Sequence, residues 1–187
     1  EIDSEFPLAM AALGYAYRRQ AEKMEAGLER ERLMNMAERC MLDGLALSPK
    51  LVDDDGESWW GSLGGLYRRR GLNEQAIRAY QQAAEVTPHS SYPFSNLAML
   101  YMGEQDRDGM LRMFKRVERL AKGETQADVD NYWAYADLLT AQLALGKFSD
   151  AEEALQSLFD TAPSDSPYAL ELLTDTLGRL MSALGDE

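Results

Sequence analysis

The chain has 187 residues, with 32 acidic against 19 basic side chains and a net charge of −13. That charge repels polyphosphate, so nucleic-acid binding is not expected. No run of 18 apolar residues is present to cross a membrane as a helix, and the single cysteine, Cys40, permits no internal disulfide, which fits a reducing compartment. The charge is uneven: residues 125–187 carry 12 acids and 2 bases, residues 1–124 carry 20 acids and 17 bases. The chain opens at Glu1 without an initiator methionine, so a longer parent, with any leader or anchor outside these residues, is expected.

Taken in order, the first element is a helix carrying Met10-x-x-Leu13-Gly14-x-x-Tyr17, three- and four-residue steps that put these side chains on one face. Its partner carries Ala37 and Met41 and ends near Pro49, which gives a hairpin over about residues 5–49 turning near Gly27. Residues 51–56 form an acidic linker. The next hairpin, 57–90, repeats the pattern as Trp60-x-x-Leu63-Gly64-x-x-Tyr67, then Ala76, Tyr80 and Ala83, closing on Pro88. Gly64 and Ala76 let the two helices approach closely. Arg70-Gly71-Leu72-Asn73 supplies a cation in the last turn, a glycine beyond it, and Asn73 as the next cap.

Leu97, Tyr101, Met110 and Phe114 repeat this set 34 residues later, defining a hairpin over 91–122. Leu138, Ala151 and Leu155 repeat it after a further 41, with Tyr135 before them and Pro163 at the close, defining a hairpin over 130–163. The seven extra residues are placed in the polar run Lys122 to Asp128, expected as a turn. Residues 166–184 form a ninth helix that starts Ser166-Pro167 and carries Leu170, Leu173, Leu177, Leu180 and Leu184 as an apolar seam. That seam either caps the last hairpin or joins two copies of the chain.

The residues marked in 57–90 resemble a tetratricopeptide repeat, whose signature of Trp, Leu-Gly, Tyr, Ala and Pro they fill in order. The resemblance implies an all-α, right-handed α-solenoid: one array over 1–187 of four helix hairpins plus a C-terminal capping helix. It also implies a scaffold that docks a protein or peptide along the first helix of each hairpin, and no enzyme. The first-helix residues off the core stripe are the partner-binding candidates: Tyr15, Arg18 and Arg19; Arg68 and Arg69, beside Ser62 and Gly65; Tyr92, Asn96 and Met99; Trp133 and Asp137. Asn96 matches a family slot whose amide bonds a peptide backbone, against the alternative of an asparagine facing only water. The family's clamp for a terminal carboxylate needs lysines and arginines where this chain has Ala11, Gly61, Ser62 and Trp133 or Asp137, so that ligand class is not expected.

Arg18-Arg19 and Arg68-Arg69-Arg70 fall at equivalent helix ends, so stacked hairpins would gather them into a basic stripe suited to acidic or phosphorylated partners. The competing account is simpler: cations offset the partial negative charge of a helix C-terminus. Tyr92, Met99 and Trp133 add an apolar floor, or else pack between hairpins.

Other chemistry finds little support. Glu104-x-Asp106-x-Asp108-Gly109 resembles the opening of a calcium loop, but the closing glutamate is replaced by Lys115, and Asp108 is expected to cap a helix instead. The one histidine, His89, sits in a turn, and Cys40 sits mid-helix, so no nucleophile with a base and no metal or cofactor site is expected.

Overall fold

The computed structural model describes residues 6–162 and 167–185, which fall into two compact units, Glu1–Pro88 and His89–Glu187. Nine helices and one isolated bridge, Val52 with Ser58, make up the regular structure among the described residues, so the chain is all-α.

The first unit holds α1 (Phe6–Glu22), α2 (Leu28–Leu47), α3 (Trp59–Arg69) and α4 (Asn73–Val86). α1 pairs with α2 and α3 with α4, while α3 also packs on α2 and touches α1. The extra residues of the first hairpin lengthen its helices, and the chain turns through residues 23–27 with Gly27 as the N-cap of α2, as the spacing predicts. Glycines set the closeness of the crossing. A Cβ at Gly14 would lie 2.7 Å from the Ala37 carbonyl oxygen, and one at Gly64 would lie 2.9 Å from the Tyr80 ring. Leu63 is wholly buried, yet its counterpart Leu13 is 48 % exposed. α3 packs on α2 as well as on α4, whereas among the described residues no helix precedes α1. Trp59 is the more buried tryptophan, while Trp60 is half-buried and donates its indole N–H to the Pro49 carbonyl at 2.9 Å.

Two capping expectations need correction. Leu72, not Asn73, occupies the N-cap of α4, and Asn73 is the first helical residue. Likewise Asp106, not Asp108, caps α6, its carboxylate accepting from the Gly109 N–H at 2.8 Å.

The second unit holds α5 (Tyr92–Gly103), α6 (Arg107–Ala127), α7 (Tyr132–Ala144), α8 (Phe148–Thr161) and α9 (Pro167–Gly185). The polar run from Lys122 is no turn: α6 continues to Ala127, so the seven added residues extend the helix by about two turns. The reason lies in its spacing, because Val117, Ala121 and Thr125 step by four and stay buried, which keeps one packed side through a polar sequence. Pro163 and Ser166 lie outside the described residues, as do the side chains of Leu170 and Leu184. From α9, Leu173 and Leu177 pack on the core formed by Ala121, Leu138, Leu139, Ala151 and Leu158, and Leu180 is buried. The middle of the leucine seam therefore covers the last hairpin of its own chain.

Candidate functional site

In the first unit the α1–α3 junction collects charge. Glu22, at the end of α1, takes Arg69 Nε at 2.8 Å, Arg19 Nη1 at 3.2 Å and Arg18 Nε at 3.4 Å. Arg18 is buried; its Nη1 donates to the Ser62 carbonyl at 3.3 Å and its guanidinium lies 4.5 Å over the Tyr15 ring. Tyr15 in turn meets Trp59 edge-on at 6.3 Å. Gly65 makes the convergence possible: a Cβ there would lie 3.0 Å from Arg18 Nη1 and 3.3 Å from Arg69 Nη1. Three guanidiniums converge on one carboxylate, and Arg68 stands next to Arg69 at the same helix end.

Arg70 leaves the expected stripe. Its Nη1 donates to Glu38 at 2.6 Å and its Nη2 to Asn35 at 2.9 Å, both on α2. The Tyr67 hydroxyl donates to the same Glu38 at 3.0 Å. Burial, followed by that hydrogen bond and the Glu38 charge, pushes the Tyr67 phenol up to about 12.

The second unit's candidates have the opposite chemistry. Asn96 turns its amide onto its own helix, donating from Nδ2 to the Tyr92 carbonyl at 3.0 Å, so the surface asparagine is neither pointed at solvent alone nor left open. Met99 and Tyr92 are half-buried on the same α5 face. Trp133 is 51 % exposed and meets Tyr132 edge-on at 5.2 Å. Asp137 is engaged between helices: its Oδ2 accepts from Ser91 Oγ at 2.8 Å, and Ser95 bonds it as well. Glu124 reaches the same serine, accepting from Ser91 N at 2.6 Å and Oγ at 2.7 Å.

Glu22, Ser91, Ser95 and Glu124 are absent from the sequence-derived candidates. Glu22 carried a signal, since it follows Arg18 by four residues on one helix. Glu124 lay in the run taken for a turn, which removed it from view.

Elsewhere, burial and then the Asp43 charge push the Cys40 thiol up, with Arg39 opposing. Among the described residues no group of three or more His, Cys, Asp or Glu is placed to hold a metal ion, and no helix is long and apolar enough to cross a membrane.

Against known proteins, the tetratricopeptide repeat family model matches residues 59–90. No curated protein matches. A crystal structure of MamA protein is 16 % identical and superposes with a TM-score of 0.51, covering 98 % of this chain and 88 % of that one. A second crystal structure of MamA is 16 % identical with a TM-score of 0.47, covering 87 % and 91 %. At such identity the first likeness speaks to the fold, an all-α arrangement of helix hairpins.

Proposed function

We propose, from the premise that this chain carries a tetratricopeptide repeat, that it is a protein interaction scaffold holding an acidic protein or peptide segment against the first helices of its hairpins. The scaffold role in general is supported by the repeat and by the fold of its structural neighbour. The acidic partner rests on one observation, the gathering of Arg18, Arg19 and Arg69 on a single carboxylate in a chain whose net charge is −13. A chain so acidic repels an acidic segment except where cations gather, as they do at this corner. Arg18 is fixed by Ser62 and Tyr15 and acts as a buried support, and Arg68, beside Arg69, is the residue that meets the partner. In the second unit Tyr92, Asn96, Met99 and Trp133 offer an apolar, amide-bearing face, and Asp137 belongs to the interior bonding beside it.

The test is an array of immobilised acidic, neutral and basic peptides probed with wild type and with Arg19→Glu/Arg68→Glu. The expected result is capture of acidic peptides by wild type, weakened by salt and lost in the variant with its helicity intact. Equal capture by both proteins, or no preference for acidic peptides, removes the acidic-partner reading.

A further inference from the structure

The cluster of Glu124, Ser91, Ser95 and Asp137 contains more acceptors than hydrogens. Glu124 meets Ser91 through N and Oγ, while Asp137 meets the hydroxyls of Ser91 and Ser95. Four contacts are made, and the serines supply three hydrogens: the Ser91 N–H and two hydroxyls. Ser91 Oγ lies 2.7 Å from Glu124 and 2.8 Å from Asp137, and its one hydrogen can serve only one of them. The other contact is a hydrogen bond only if the carboxyl itself brings a proton and donates to the serine oxygen.

We propose that Glu124, Ser91 and Asp137 form a proton-operated latch joining α5, α6 and α7, closed when Asp137 holds a proton and loosened when it ionises. Ser91 and Ser95 are buried, so water does not readily replace the missing hydrogen bond. Burial pushes the Asp137 carboxyl up to about 6, the Ser95 and Ser91 hydroxyls hold it back, and the Glu124 charge raises it further. Of the other charges on the elements around α7, Arg116 of α6 lies over the Phe94 ring, and Arg107, Asp108, Arg112, Lys115 and Arg119 of α6 are exposed. On α6 and α8, Glu118 holds Lys122 and Lys147, with Asp150 near Lys122; on α9, Asp175 pairs with Arg179. The remaining acids of α8 and α9, Glu152, Glu153, Asp160 and Glu171, are exposed, and α5 contributes no ionised side chain beside Asp137. The latch exists because of the extended α6: Glu124 stands on the turns that a 34-residue repeat would lack, and from there it caps the start of α5.

The sign follows from the direction of the shift. A carboxyl raised in the folded state adds stability that is full below its unfolded value of 3.8 and is lost as pH rises through about 6. Over that window the folding constant of the second unit falls by up to about 100-fold on this group's account.

The experiment follows thermal unfolding and hydrogen exchange of the Ser91 amide from pH 4.5 to 7.5, in wild type and Asp137→Asn. Asparagine keeps a donor toward Ser91 Oγ at every pH. Wild type is expected to lose midpoint and Ser91 protection relative to the variant as pH passes 6, the variant being the more stable at pH 7.5. Parallel pH profiles overturn the latch. Should Asp137→Asn fail to fold, the carbon resonance of the Asp137 carboxyl in wild type decides: a titration near 6 supports the latch, and one near 4 refutes it.

Discussion

Three turns of the chain share one backbone feature. Gly71, Gln105 and Gly146 have φ of 71°, 60° and 70°, all left-handed. They are spaced 34 and 41 residues apart, the spacings of the repeat itself, so they are the same position in three successive hairpins. Each follows the last turn of a first helix and reverses the chain toward its partner; the Gly71 N–H donates to the Arg68 carbonyl at 3.1 Å and the Gly146 N–H to the Leu143 carbonyl at 3.0 Å. A side chain in this conformation costs about 1–2 kcal/mol through the clash of Cβ with the backbone. Gln105→Gly removes that cost and restores about 0.5–1 kcal/mol of backbone entropy to the unfolded chain. The net expectation is a gain of about 0.5–1 kcal/mol, which for a unit the size of His89–Glu187 raises the thermal midpoint by roughly 2–6 °C. Circular dichroism at a fixed pH reads it, with Gly71→Ala and Gly146→Ala as converse variants that lower the midpoint. A Gln105→Gly midpoint at or below wild type refutes the reasoning, because the glutamine would then be earning its strain through contacts that outweigh it.

Two further outcomes follow from the packing and the charge pairs. Gly14→Ala should destabilise the first unit by about 1–3 kcal/mol despite alanine's better helix propensity, because the new Cβ would meet the Ala37 carbonyl at 2.7 Å and both helices must part; urea unfolding measures it, and an unchanged midpoint sinks the close-crossing argument. Burial pushes the Glu118 carboxyl up, but hydrogen bonds from Lys147 and Lys122 outweigh it and leave it below its ordinary range. Its stability is present above the unfolded value and lost as pH falls through the lowered folded one, so Glu118→Gln should cost about 1–2 kcal/mol at pH 7. Both lysines are nearly half-exposed, which keeps that figure small. The gap from wild type should close on titration below pH 4, and a constant gap contradicts the linkage.

Much of the fold was legible because it rests on periodicity. Leu63, Gly64, Tyr67, Ala76 and Tyr80 recur at fixed offsets, and a recurring apolar face has only one physical use, burial against the next helix. The failures come where length and polarity separate. Lys122 to Asp128 is polar enough to suggest a turn, but Ala121 and Thr125 keep the helical step, and two small buried residues suffice to carry α6 onward. Capping failed for a similar reason: Asp106 and Asp108 are chemically equal, and only the backbone decides which carboxylate reaches the Gly109 N–H.

The candidate site was legible by position and illegible by partner. Neighbouring first helices meet in both units, through Arg18 and Arg69 on Glu22 near the C-terminal ends of α1 and α3, and through Asp137 of α7 on Ser91 and Ser95 at the start of α5. Slot arithmetic finds those side chains because it knows which helices touch. It cannot say whether a side chain found there faces a ligand or its neighbour, since that depends on an acid or hydroxyl supplied from another helix at no fixed spacing. In the first unit Glu22 draws three arginines together. Where the neighbour over-compensates, as Glu124 does beside Asp137, the surplus negative charge is relieved by taking up a proton. Contacts between neighbouring first helices thus gather arginines on one acid in the first unit and two acids on one serine in the second.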